Sequence, residues 1–250
     1  MIPHDDRGLT LGDGLFETLL AVDGKLEDFD AHLARMTAGC AALGLPGPDG
    51  AEALRLCDEA LAGQAGRMAV RLTLTAGSGG RGLDRPQAPQ PRLFATAAPA
   101  PAPVAPVRVA TVAVRRNAGS PASRWKTLSY LDNVLARRQA QALGAEEALM
   151  LNTAGEVACA AVANVFWFQG ARLLTPALEC GILEGVMRGR VIARARRAGL
   201  EIAEIRVARD ALDGVETMFL TNSLIGLRAV SHLDGRVLAA DEGRLAVLRP

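Results

Sequence analysis

From Met68 to Thr75 the chain sets Val70, Leu72 and Leu74 against Arg71, Thr73 and Thr75, a period of two that suits a half-buried strand. Similar strand-like runs lie at about 15–22, 25–29, 92–98 and 107–114, and the Asp23-Gly24 pair closes the first two as a hairpin. Between them the pattern turns helical. Asp30 reads as the N-cap of a helix reaching about residue 43 before Gly44 and Pro46, and a second helix covers about 50–62. The Pro/Ala tract 99–106 reads as a connector, because strand patterns resume directly after it.

Asn117-Ala-Gly-Ser-Pro121 breaks the pattern. The boundary is predicted there, giving a smaller N-terminal α+β domain over 1–116 and a larger C-terminal one over 117–250. The second domain reads as a helix at about 128–143, a strand at 148–151, a turn at 152–155 and short strands at 157–161, 164–168 and 172–174. A helix at about 184–198 and strands at 201–207 and 217–221 follow, with no internal repeat. Two α+β domains predict a ligand held in the cleft between them.

With 250 residues, half of them hydrophobic, the chain can bury a full core. A net charge of +1, with both signs mixed along the chain, offers no electropositive stripe for nucleic acid. No apolar run approaches the roughly 18 residues of a membrane span, and Met1-Ile-Pro-His-Asp-Asp-Arg lacks a signal layout. A soluble cytoplasmic protein is expected. Cys40, Cys57, Cys159 and Cys180 are scattered, as are His4, His32 and His232. Reduced thiols are therefore expected, with neither a disulfide frame nor a metal site.

Of 28 basic residues only Lys25 and Lys126 are lysines. A guanidinium stays protonated and cannot form an imine, whereas an amine can. Lys25 sits at the hairpin turn, so Lys126 is the candidate for amine chemistry. Gly77-Ser-Gly79-Gly-Arg-Gly82 matches a dinucleotide-loop pattern and follows a strand, but Leu-Asp-Arg-Pro-Gln-Ala-Pro cannot begin the helix that such a loop requires. His32 and Arg35 share a helix face, readable as a surface pair or as an anion site, since a guanidinium matches phosphate. Gly181-Ile-Leu-Glu-Gly185-Val-Met-Arg opens a helix, where backbone N–H groups hold anions well. Thr221-Asn222-Ser223 ends a strand, either as a plain turn or as further donors to the same anion.

These pieces occur in one order. Arg7-Gly-Leu-Thr-Leu-Gly-Asp-Gly-Leu-Phe-Glu17-Thr, His32-Leu-Ala-Arg35-Met, the 77–82 loop, Lys126-Thr-Leu-Ser-Tyr-Leu-Asp-Asn, Asn164-Val-Phe-Trp and Thr221-Asn-Ser-Leu-Ile-Gly together resemble the fold-type IV enzymes of pyridoxal 5′-phosphate (PLP). These are the class IV aminotransferases and the 4-amino-4-deoxychorismate lyases, and the resemblance spans about residues 7–231. It implies a D-amino acid aminotransferase-like α+β fold and a homodimer, with PLP in the interdomain cleft. It places Lys126 on the Schiff-base lysine, Arg35 on the phosphate-binding arginine, Val186 and Met187 on the helix-start amides, and Asn222 and Ser223 on a second phosphate-side turn. Tyr130 falls where some members reach the cofactor's phenolic oxygen, and Arg81 and Arg116 are candidates for a substrate carboxylate.

One position departs from the family pattern. Cys159 stands five residues before Asn164, where the family has a glutamate that pairs with the pyridine nitrogen. A neutral thiol holds that nitrogen protonated poorly and weakens the ring as an electron sink. Glu156 lies three residues away and points to the opposite face unless a bulge re-aims the strand. Three outcomes follow: chemistry that needs only a weak sink, another acid, or lost catalysis. The first favours conversion of 4-amino-4-deoxychorismate to 4-aminobenzoate and pyruvate, whose aromatic product supplies driving force. An aminotransferase of D-amino or branched-chain amino acids is the alternative, and a PLP-binding relative with little turnover the third.

Overall fold

The computed structural model of the chain describes residues 2–100, 102 and 105–249, so residues 101, 103 and 104 of the 99–106 connector lie outside the described residues. The chain divides into two units, Met1–Ala102 with Trp125–Ser129, and Pro103–Arg124 with Tyr130–Pro250. The boundary expected at 116/117 is corrected by strand pairing. The strand preceding it, Val107–Arg116, runs parallel to two strands of the second unit and belongs to that sheet.

The first unit comprises α1 (Arg7–Leu11), β1 (Gly14–Val22), β2 (Lys25–Leu26), α2 (Phe29–Ala42), α3 (Gly50–Leu61), β3 (Arg67–Thr75) and β4 (Arg92–Pro99). Its antiparallel sheet has the order β2-β1-β3-β4. The register pairs Leu15 with Leu74, Leu19 with Val70 and Ala21 with Met68, so one face is apolar and packs with Met36 and Cys40 of α2 and with Ala53 and Cys57 of α3. Asp23 (φ 49°) and Gly24 (φ 79°) form the hairpin turn, where two positive φ values match the twist of the flanking strands. Helix α2 starts before the Asp30 expected to cap it. Its cap is Asp28 in the left-handed conformation, which places Asp30 in the first turn, where a negative charge suits the helix dipole.

The 77–85 loop joins two strands. No helix follows it: Asp6 bridges Ser78, Arg81 bridges Asp84, and β4 begins at Arg92. Buried Arg7 organises it, donating from Nη1 to the carbonyls of Asp84 (3.0 Å) and Gly82 (3.3 Å) and from Nη2 to that of Leu83 (2.9 Å). Asp13 completes the clamp, accepting from Arg7 Nε and Arg85 Nε, each at 2.9 Å. The Arg85 hydrogen bond, with help from Arg7, outweighs burial and holds the Asp13 carboxyl below the usual carboxylate range. A depressed folded-state pKa contributes stability that is present above the unfolded value of about 3.9 and is lost as pH falls through the folded one. Asp13→Asn is therefore expected to flatten the decline of stability below about pH 4, measured as denaturation midpoints against pH.

The second unit comprises β5 (Val107–Arg116), α4 (Pro121–Arg124), α5 (Leu131–Ala142), β6 (Glu147–Asn152), β7 (Val157–Ala160), β8 (Asn164–Gln169), β9 (Arg172–Pro176), α6 (Val186–Arg197), β10 (Ile202–Ile205), β11 (Met218–Asn222), β12 (Gly226–Leu233), β13 (Arg236–Val237) and α7 (Glu242–Leu248). The helix expected from 128 begins only at Leu131, because residues 125–129 are drawn into the first unit. The sheet order is β10-β9-β8-β11-β12-β5-β6-β7, with β13 on β12. Its ends approach each other: Glu156 bridges Ala208 and Val157 N–H donates to Val207 O at 2.8 Å. The sheet thus curls round an inner core of Val109, Leu149, Val165, Trp167, Met218 and Leu220. Its outer face is covered in two places. Ala136 and Ala140 of α5 pack on Ala148, Met150 and Cys159, while Val191 and Ile192 of α6 and Leu245 of α7 pack on Phe166 and Phe219. Among the described residues no helix is long and apolar enough to cross a membrane.

Candidate active site

Lys126 is placed by backbone pairing. β2 covers only the Ala21–Val22 end of β1, and the 125–129 segment takes the other end, with Thr127 bridging Leu15. Phe16 N–H donates to Lys126 O at 2.9 Å, and Leu128 N–H donates to Gly14 O at 3.0 Å. Gly14 has no room for a side chain: a Cβ there would lie 2.3 Å from Leu74 O of β3 and 2.9 Å from Leu128 Cδ1. The Lys126 Nζ stands 4.3 Å from the centre of the Phe16 ring, and the Arg71 guanidinium lies 3.5 Å over the same ring. Residues 16, 18 and 71 share the sheet face opposite α2, since Thr18 pairs with Arg71. In the sequence Arg71 reads as the ordinary outward polar residue of an alternating strand, with no local signal of a role. The other lysine, Lys25, is exposed beside its turn.

On the α2 side of the same strand, Glu17 gathers His32 and Arg35. Arg35 donates from Nε (2.9 Å) and Nη2 (2.6 Å) to the two carboxylate oxygens, and His32 Nδ1 lies 2.7 Å from Oε2. The surface-pair reading of His32 fails, since it is only 1% exposed. Arg81 is exposed on the clamped loop.

The second unit assembles the anion-binding candidates on the outer face of its sheet. Gly185 caps α6 with no side-chain hydrogen bond, so the first-turn N–H groups of Val186 and Met187 have no side-chain cap there. Gly185 must lack a side chain, because a Cβ would lie 2.1 Å from Asn164 Oδ1. Asn164 in turn donates to Leu183 O at 2.9 Å and pairs across the sheet with Thr221. The Thr221 hydroxyl is buried and lacks a hydrogen-bond partner. The Asn222 side chain is engaged elsewhere, accepting from Leu224 and Ile225 N–H and donating to Val162 O. Its amide folds the turn. Tyr130 precedes α5 as its cap residue.

Arg116 does not fit the substrate role suggested for it. It is 8% exposed and donates to Ser123 O (2.6 Å), Asn133 Oδ1 (3.2 Å) and Gly181 O (3.4 Å), so its three nitrogens tie down the 117–124 segment and the Gly181 turn. Cys159 pairs with Met150, and the register then slips so that Val157 opposes Leu151. This bulge turns both Ala158 and Cys159 to the α5 face. Glu156 gains nothing from it. Its carboxylate accepts from Asn152 Nδ2 (2.7 Å) and Arg206 Nε (3.0 Å) instead. Burial pushes the Cys159 thiol above its usual pKa despite the attraction of Arg116, with Glu147 adding to the rise. All four cysteines are buried and free.

The family model for amino-transferase class IV matches residues 14–233. A Methanocaldococcus jannaschii protein, named provisionally as a branched-chain-amino-acid aminotransferase, is 33% identical over 93% of this chain and 83% of its own. The 4-amino-4-deoxychorismate lyase of Pseudomonas aeruginosa superposes with a TM-score of 0.90 at 30% identity, over 99% of this chain and 93% of that one. A hypothetical aminotransferase from Mycobacterium tuberculosis in its PLP-bound form gives a TM-score of 0.86 at 26% identity, over 99% of this chain and 90% of the other.

Proposed function

Because the chain belongs to the class IV aminotransferase family of PLP-dependent enzymes, we propose that it is a 4-amino-4-deoxychorismate lyase, releasing 4-aminobenzoate and pyruvate. The residues present fit the cofactor. Lys126 would supply the amine and Arg35 a guanidinium, and the Val186 and Met187 amides, the Asn222–Ser223 turn and Tyr130 are the other candidates to hold the cofactor. The α6 start without a side-chain cap and the unpartnered Thr221 hydroxyl support an anion at that helix start. Bound there, PLP supplies an aldehyde for an amino substrate and a ring that draws electrons from the carbon bearing the amine.

The chain's own residues then divide the work. Lys126 would take a proton from that carbon and return one, as general base and acid. Arg35 and the first-turn amides of α6 would hold the phosphate end. Arg81 and, in place of Arg116, Arg71 are the candidates for a substrate carboxylate, and Arg71 is flattened on Phe16 beside the lysine. The same reading includes a cytoplasmic homodimer acting on a small amino substrate.

One observation carries the choice of reaction. A buried neutral thiol, Cys159, stands where the family pattern has a carboxylate, and Glu156 is committed to Asn152 and Arg206. Without a fixed negative charge opposite the ring nitrogen, the electron sink is weak. An elimination whose product becomes aromatic tolerates this better than transamination does. The Methanocaldococcus relative favours the second reading, an aminotransferase of branched-chain or D-amino acids. Assays of both reactions on the parent and on Cys159→Glu decide between them. The lyase reading expects 4-aminobenzoate release by the parent, with transamination slow and accelerated by the new carboxylate. Fast parental transamination that Cys159→Glu does not improve would refute it.

A further inference from the structure

Glu17 is a carboxylate in the middle of β1, 1% exposed, and the chemistry above gives it no task. Both its oxygens are gripped from α2, where Arg35 takes them side-on through Nε and Nη2 while His32 Nδ1 meets Oε2 from one turn earlier. Burial acts to raise the Glu17 pKa, yet the His32 and Arg35 hydrogen bonds outweigh it and keep the carboxyl below its usual range. Two parallel N–H···O bonds fix the plane of a guanidinium as well as its position. A free arginine side chain has no such constraint, since its several torsions leave the fork free to swing.

We infer that Glu17, backed by His32, is a positioning residue that sets the plane in which Arg35 meets the cofactor phosphate. This rests on the assignment of Arg35 to that phosphate. The carboxylate itself would repel a phosphate, so its contribution is orientation: by holding Nε and Nη2 together it fixes the plane of the guanidinium. Glutamine at position 17 would keep one acceptor oxygen but turn an N–H₂ group against an arginine N–H, and the fork would lose its alignment.

The test compares PLP with pyridoxal, which has the same ring and aldehyde without the phosphate. Each is titrated by absorbance into cofactor-stripped full-length protein, and the ratio of the two affinities reports the grip on phosphate. Glu17→Gln is expected to lower that ratio by about tenfold or more, the worth of one charge-assisted hydrogen bond, while pyridoxal still reaches Lys126. In an Arg35→Gln background the same change is expected to add nothing. Equal losses for PLP and pyridoxal, or an unchanged ratio, would overturn the inference and leave Glu17 a purely structural partner. A parent with no preference for PLP, or an Arg35→Gln variant that keeps the preference, would instead remove the phosphate assignment of Arg35 on which the inference stands. Should Glu17→Gln not fold, His32→Asn removes the backing while sparing the ion pair. It is expected to lower the same ratio less steeply, and an unchanged ratio there also overturns the inference.

Discussion

Lys126→Ala is expected to cut turnover by about 10³-fold or more, in line with the loss of a positioned proton-transfer group, and to abolish the borohydride-reducible link between protein and PLP. Both effects trace to one nitrogen. The Nζ is held 4.3 Å above Phe16 by a segment that hydrogen-bonds β1, and the second lysine is exposed at a distant turn and cannot replace it. Lys126→Arg is expected to fail as completely, because a guanidinium stays charged and forms no imine. The side chain is only partly buried, so neither change should move the melting temperature by more than a few degrees. Steady-state rates, with mass analysis of the reduced peptide containing residue 126, provide the check. An adduct retained elsewhere with near-parental turnover would show that the reactive amine had been misassigned.

Trp167→Ala carries the largest expected cost in stability, about 3–5 kcal/mol. Trp167 is 1% exposed in β8, where it pairs with Leu174 on one side and Met218 on the other, inside the curl of the larger sheet. Removing the indole leaves a void that those strands cannot close without breaking their register. Whole domains are stable by only about 5–15 kcal/mol, so the variant should fold weakly at room temperature. Circular dichroism during urea unfolding measures this, since the only other tryptophan, Trp125, reports on the first unit. A midpoint shift worth less than about 1 kcal/mol would mean that the strands do close around the gap.

Much of this was readable from residue order alone, for reasons that differ from element to element. The alternation through β3, the Asp23-Gly24 turn and the glycine-bearing start of α6 are local patterns with local causes. Lys126 stood out because arginine supplies nearly every other positive charge. The departure at Cys159 was visible by spacing, whereas the bulge that re-aims it was not, since a bulge is settled by the opposing strand. β5 was assigned to the wrong side of the boundary for a similar reason. Its partners, β6 and β12, are parallel, and parallel pairing joins segments separated by long connections that no local window spans. Arg116 reads as available for a ligand because its three acceptors come from separate segments that no local window joins. Arg71 looked like a solvent-facing strand residue until the register set it on Phe16. β12 and the short α1 and α7 were not anticipated.

The chain passes from one unit to the other three times, at 102/103, 124/125 and 129/130, and the five residues of the brief return carry the amine. A gene fragment ending at 102 would therefore encode the first sheet without Lys126, and one beginning at 103 would encode Lys126 without the strand that seats it. Neither half can be borrowed as a stand-alone module. Swapping parts between relatives would have to exchange residues 125–129 together with the first hundred.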